Sequence, residues 1–118
     1  MANPNIYNAT SIVGDTVTVP LTTTLTSVLL SGIANKILKI NTIIVANIDG
    51  TNSSSFTLYI DDGVAARAFA YQITVPAGAS VVIIDRNNGF YLKENQFIEG
   101  GASLNDDLVA TISYEIIG

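Results

Sequence analysis

The chain has 118 residues, which suits a single domain, and a formal net charge of −5 at pH 7. Only 13% of its residues are charged and its five cations are scattered, which argues against nucleic acid or an anionic membrane as its main partner. It contains no histidine and no cysteine, which excludes Ser-His-Asp and Cys-His nucleophilic sites and Cys/His ligation of zinc, haem or iron–sulfur clusters.

The first part of the chain carries weaker strand signals than the rest. Residues 1–8 are polar and lack the basic and apolar segments of a signal peptide, so we expect no signal peptide and a flexible N-terminal arm. Candidate strands follow over residues 6–13, 16–19 and 25–30. The threonine-rich stretch 21–27 favours extended backbone, because β-branched side chains suit the pleat of a sheet.

The clearest strand is predicted over residues 37–48, where the even-numbered positions are mostly apolar. We expect those positions, Leu38 and Ile40 among them, to face the core. Ile43 and Val45 interrupt the opposite, more polar face. We interpret these two residues as buried against a neighbouring subunit or a loop.

A β-hairpin is predicted next, with an alternating strand over residues 56–61 and a two-residue turn at Asp62-Gly63. Strict two-residue pairing would place Arg67 beside Leu58, on the apolar face. We therefore expect a β-bulge that shifts the register of this hairpin.

Five further strands are predicted, separated by residues that favour turns. They cover residues 66–75, 80–85, 90–92, 96–99 and 108–117. Pro76-Ala77-Gly78 and Asn87-Asn88-Gly89 supply turns, and Gly100-Gly101 is interpreted as the end of a strand. Eight to ten short strands without a convincing helix predict an all-β sandwich or small barrel, in one domain over residues 1–118.

Carboxylates are the remaining candidates for catalysis. The acidic residues considered are Asp61, Asp62, Asp85, Glu94, Glu99, Asp106, Asp107 and Glu115. Most adjoin turns, where aspartate is favoured for backbone reasons, and nothing signals the cleft and raised pKa of a glycosidase. We therefore expect no catalytic residue and no enzymatic activity.

Oxygen ligands alternate in the turn-forming stretch after the clearest strand, at Asn47, Asp49, Asn52 and Ser54. This spacing is typical of calcium loops, but the bidentate glutamate that completes such loops is missing. We expect no metal and no cofactor. Ion binding by this loop, by Asp61-Asp62-Gly63 or by residues 105–107 stays open on the sequence alone.

Aromatic residues at strand spacing are more often core residues or interface anchors than ligand platforms. For Tyr59 and Tyr71, the sequence favours exposed surface and subunit contact equally. With Ile43 and Val45, they are the predicted interface residues of the chain.

Four segments, taken in order, resemble a pattern in small virion structural proteins of tailed bacteriophages, cyanophages especially. They are KINTIIVAN at 39–47, VPAGAS at 75–80, YLKENQFI at 91–98 and ISYEI at 112–116, and the resemblance extends over residues 16–117. It implies an antiparallel β-sandwich of jelly-roll type that decorates or cements a capsid, or that sits at the neck or tail as an accessory. It implies no catalytic residues.

Our hypothesis is a structural virion protein, first of all a capsid decoration or cement protein. Its expected partners are the major capsid protein or other virion proteins, and further copies of itself in a trimer or hexamer, with neither nucleic acid nor membrane. Its expected location is the virion, and the host cytoplasm during assembly. The alternatives are a neck or tail accessory, or a host-glycan-binding module in which Asp61, Asp62, Asn87 and Asn88 line a shallow site with Tyr59 or Tyr71.

Overall fold

The computed structural model describes residues 11–24, 27–85, 87–104 and 107–118. These residues form nine strands and no helix, so none of them lies in a helix long and apolar enough to cross a membrane. The predicted arm 1–8 and most of the predicted strand 6–13 lie outside the described residues. The strands are β1 (Ile12–Pro20), β2 (Ser27–Ser31), β3 (Ile37–Asn47), β4 (Ser54–Asp61), β5 (Ala66–Val75), β6 (Ser80–Ile84), β7 (Phe90–Leu92), β8 (Phe97–Ala102) and β9 (Leu108–Ile117).

The strands form two antiparallel sheets that pack face to face. Sheet A has the order β1-β9-β3-β6, and β7 pairs with β3 beside Leu38 to Ile40, beyond the part of β3 that β6 covers. Sheet B has the order β2-β8-β4-β5. If β6 and β7 are counted as one interrupted strand, this is the eight-stranded, two-sheet arrangement of a jelly roll. The predicted antiparallel β-sandwich of jelly-roll type is confirmed.

The core lies between the two sheets and is built from aliphatic side chains of both. Residues without exposed surface include Leu38, Ile40, Ile43, Val45, Leu58, Leu92, Ile98, Leu108 and Ile112. Full burial of one such side chain contributes about 1.5–3 kcal/mol relative to leaving it in water. Phe69 and Phe90 close one side of this core with their rings edge to face, 5.5 Å apart.

Strand β3 changes the face it presents to the core part-way along its length. Its pairing with β9 shifts by one residue between Ile40 and Thr42. Ile40 faces the core before this bulge, whereas Ile43 and Val45, both 0% exposed, face it afterwards. The expectation that even positions face inward throughout is therefore wrong, because a one-residue shift reverses the direction of every later side chain.

The hairpin between β4 and β5 is longer at its tip than predicted. Asp61 pairs with Ala66, which leaves a four-residue loop, so the predicted two-residue turn is wrong. Arg67 consequently lies opposite Ile60 and not Leu58. The predicted bulge is confirmed, since the register shifts on both sides of Leu58.

Strand β8 continues through the two glycines that were expected to end it. A Cβ atom on Gly100 would lie 2.6 Å from Leu58 Cδ2 and 2.8 Å from the Thr57 carbonyl oxygen. Glycine is thus required here by close packing inside the sandwich. The prediction of a strand end at Gly100-Gly101 is wrong, and β8 ends at Ala102.

Candidate functional site

Two carboxylates meet on the outer face of sheet B. Tyr59 of β4 pairs with Glu99 of β8, and Asp61 pairs with Phe97 in the same ladder. Asp61 and Glu99 are therefore diagonal neighbours on adjacent strands, with their side chains on one face. The two residues are 38 positions apart in the chain, and strand pairing alone brings them together.

Glu99 is almost completely buried although it faces away from the core. Its side chain is 7% exposed, and its strand neighbours on either side are Val28 and Tyr59. Its Oε1 atom has no hydrogen-bond partner among the described residues. Burial first, and then the charge and hydrogen bonding of Asp61, raise the pKa of Glu99 above its ordinary value.

The contact between these two carboxyl groups limits what they can do chemically. Glycosidases hold their carboxylates about 5–5.5 Å or 6.5–9.5 Å apart, with the scissile bond between them. Asp61 and Glu99 instead interact directly, so a sugar has no room between them. Asp61 also accepts a 2.8 Å hydrogen bond from the Gly63 amide, which ties the hairpin loop to this pair.

A shallow depression of about 210 Å³ lies next along the same face, beside the pair Thr57–Gly101. Its lining consists of Ser55, Phe56, Thr57, Gln72, Gly101, Ala102 and Ser103. Thr57 Oγ1 accepts a 3.0 Å hydrogen bond from the amide of Gln72, whose φ of 49° is unusual for a residue other than glycine. The lining is uncharged and offers hydroxyl and amide groups.

The predicted interface residues occupy three different environments. Ile43 and Val45 lie in the core and have no exposed surface, so their prediction as subunit contacts is wrong: the bulge in β3 turns them inward. Tyr59 is half-buried beside Glu99. Tyr71 is 64% exposed on β5, next to Gln72 of the depression.

The calcium-like stretch uses its side chains to build the loop between β3 and β4. Asn47 is buried and donates from Nδ2 to the carbonyl oxygens of Asn52, at 2.9 Å, and Val75, at 3.0 Å. Asp49 Oδ1 accepts a 2.8 Å hydrogen bond from the Thr51 amide, and this bond holds the pKa of Asp49 below its ordinary value. These bonds account for the residue types without an ion.

Glu94 is a second buried acid, in the loop between β7 and β8. Its Oε2 atom accepts a 2.6 Å hydrogen bond from the Asn35 amide, in the loop between β2 and β3. Asn35 has a φ of 63°, a left-handed conformation that asparagine tolerates better than most residues. Glu94 therefore joins two loops at one end of the sandwich, a structural role.

The outer face of sheet A, here called the A face, differs sharply from that of sheet B. Its central part is covered by uncharged side chains of four strands: Thr16, Thr18, Thr42, Ile44, Ala46, Ser80, Val82, Thr111 and Ser113. Thr16 and Ser113 join neighbouring strands through a 3.1 Å hydroxyl–hydroxyl hydrogen bond. Val82 is 58% exposed, so this face presents an apolar side chain to solvent.

Charges on the A face lie toward one end of the sheet. Lys39 pairs with Glu115 of β9 on one side and with Tyr91 of β7 on the other. Asn41, the residue inserted at the bulge, donates a 3.0 Å hydrogen bond to Glu115 Oε1. The centre of the face is thereby left to hydroxyl, methyl and branched aliphatic groups.

The residues of the predicted glycan site are divided between the two sheets. Asp61 and Asp62 belong to the hairpin of sheet B, while Asn87 and Asn88 belong to the turn between β6 and β7 of sheet A. Asp62 also stabilises its own loop, because its Oδ1 accepts hydrogen bonds from the amides of Val64 and Ala65.

Comparison of the chain with protein-family models, with curated proteins and with solved structures found no match. The Asp61–Glu99 pair and the depression beside it were not predicted from the sequence. The sequence carried no signal for the pair, because Glu99 is the last residue of the predicted strand 96–99, beside the two glycines that were expected to end it.

Proposed function

We propose that this chain is a structural protein of a tailed-phage particle, first of all a capsid decoration or cement protein, that works by binding other subunits. The A face is the observation that carries this proposal. A chain with a net charge of −5 repels its own copies, and contact through an uncharged face keeps that repulsion low. The partners proposed are capsid or other virion proteins and further copies of the chain.

Two of the segments that resemble phage virion proteins help to form the same surface. Residues 39–47 form most of β3, and residues 112–116 lie in β9, so two of the four segments build the centre of sheet A. The segment 75–80 makes the turn that carries the chain from sheet B into β6. A neck or tail accessory would use this surface in the same way, on a different partner.

The test is to place a charge on the A face. Val82→Asp adds a carboxylate to this face on its edge strand β6, and Val64→Asp is the control, because Val64 is 92% exposed in the β4–β5 loop, away from the A face. We expect Val82→Asp to weaken self-association and co-sedimentation with particles by about tenfold or more, with the melting temperature little changed. Light scattering after size-exclusion chromatography measures the first effect.

Equal assembly of the two variants would contradict the role of the A face. A parent protein that is monomeric and does not co-sediment with virions would contradict the proposal as a whole.

A host-glycan module is the second candidate function, favoured by the uncharged depression on sheet B. Shallow polar sites beside an exposed aromatic ring suit sugars, because the ring covers the apolar face of the sugar while hydroxyl and amide groups bind its edge. Tyr71→Ala is expected to abolish binding on a glycan array, whereas Tyr91→Ala, which removes a 50% exposed tyrosine from the A face, leaves binding intact. An array without signal for the parent chain removes this candidate.

A further inference from the structure

We propose that Asp61 and Glu99 together bind a divalent cation of the calcium class. The two residues are diagonal neighbours on β4 and β8, with side chains on the same face of sheet B. Diagonal Cβ atoms in such a ladder lie about 7–8 Å apart or less. A cation with ligand distances of about 2.3–2.6 Å fits between two carboxylate arms that start from this separation.

Glu99 provides the second, independent observation. Its side chain is 7% exposed and its carboxyl group faces Asp61, yet its Oε1 atom has no hydrogen-bond partner in the described part of the chain. Buried carboxylate oxygens are almost always paired, because removing them from water without a partner is costly. An oxygen left in this state beside a second carboxylate marks a place for a positive ligand.

The surrounding side chains do not supply that positive charge. Val28 of β2 and Tyr59 of β4 flank Glu99, and Phe97 lies two residues before it on the same strand and face. The nearest cation in the hairpin register, Arg67, pairs with Ile60, and its charge acts on Asp62. The pair Asp61–Glu99 therefore lacks a counter-charge from Lys or Arg at its neighbouring positions.

Calcium suits this arrangement better than magnesium. Ca²⁺ accepts irregular sets of oxygen ligands and completes its coordination with water, whereas Mg²⁺ demands near-octahedral geometry. Asp61 is partly exposed and gives access from solvent. With two protein carboxylates, we expect a weak site, with a Kd of about 10⁻⁴–10⁻³ M as in extracellular calcium modules.

A bound cation would fasten the β4–β5 hairpin to β8. Asp61 is the last residue of β4, and it already holds the Gly63 amide of the hairpin loop. Cation binding at this position would therefore stabilise the end of sheet B, independently of the contacts proposed for the A face.

Thermal unfolding of the full chain, first stripped with EDTA, tests the site at pH 7.5. We expect saturating CaCl₂ to raise Tm by about 5 °C, and Asp61→Asn or Glu99→Gln to remove that response. Glu99→Gln keeps the size of the side chain and removes a like charge, so it is expected to fold. Asp49→Asn is the matched control, because Asp49 serves the β3–β4 loop, and it should respond like the parent.

Terbium luminescence gives a second readout that does not depend on stability. Tb³⁺ is used here as a stand-in for Ca²⁺, and Tyr59 is the strand partner of Glu99, close enough to sensitise it. We expect tyrosine-sensitised emission that Ca²⁺ displaces and that Tyr59→Phe strongly reduces without removing the Ca²⁺ effect on Tm.

A parent chain that shows neither the Tm rise with CaCl₂ nor the terbium emission would overturn the proposal. The two carboxyl groups would then share a proton in place of a cation. A Ca²⁺ response that persists in both Asp61→Asn and Glu99→Gln would overturn it as well, by placing the ion elsewhere. Val82→Asp should keep the full Ca²⁺ response, so this site and the assembly proposal fail separately.

Discussion

At the scale of single residues, the fold keeps an acid where an apolar residue would be expected. Glu99 is buried beside Asp61, and its pKa is raised above the ordinary 4.5 by that burial and by the neighbouring carboxyl. The folded chain therefore binds this proton more tightly than the unfolded chain does. The resulting stabilisation is complete below pH 4.5 and is lost as the pH rises through the raised pKa.

Glu99→Gln should remove this pH dependence, because glutamine has no proton to lose. In EDTA, we expect the variant to match the parent near pH 4 and to become increasingly more stable than the parent toward pH 7. Urea unfolding at a series of pH values measures the difference. The pKa values of Asp49 and Asp62 are lowered, so these two residues make stability fall as the pH falls. Both the parent and the variant contain them, so their effect cancels when the two chains are compared. A difference that is constant with pH would contradict the assignment to Glu99.

At the scale of the strands, alternation in the sequence predicted where strands lie but not which side chains face inward. Residues 66–75 and 108–117 were predicted with the bounds of β5 and β9, because turn residues flank a strong period of two. The inward face of β3 was predicted wrongly beyond Asn41, since the inserted residue is defined by pairing with β9. The Asp61–Glu99 pair escaped prediction for the same reason: it depends on the register between β4 and β8.

The bulge in β3 leads to a prediction about Asn41. Deleting Asn41 removes the extra residue, so β3 pairs with β9 without a bulge, and Ile43 and Val45 keep facing the core. We expect this deletion to change the free energy of unfolding by about 1 kcal/mol or less, whereas deleting Ile44, beyond the bulge, turns the fully buried Val45 outward and should cost about 2 kcal/mol or more. Asn41→Ala keeps the residue count and loses the hydrogen bond to Glu115, so it should cost about 1 kcal/mol or less. Chemical denaturation compares the two deletions, and equal effects would contradict the assignment of Asn41 as the inserted residue.

At the scale of the whole molecule, charge and shape favour association through one face. The sandwich is elongated, 49 × 27 × 20 Å, so the A face is one of its broad surfaces, and its central part is uncharged while the chain carries a net −5. Assembly through this face brings negative copies together without pairing opposite charges.

Because salt screens charges over a Debye length of about 10 Å at 0.1 M, added salt should weaken the repulsion between copies. We therefore expect self-association to strengthen when NaCl is raised from 50 to 500 mM, because the screening length shortens with salt, toward about 3 Å at 1 M. Sedimentation velocity measures the change, with Val82→Asp as the variant that associates more weakly than the parent at both concentrations. Association that weakens with salt would instead mean that the cations, Lys39 or Lys93 among them, pair with acids across the contact, and the A face would lose its claim to be the assembly surface.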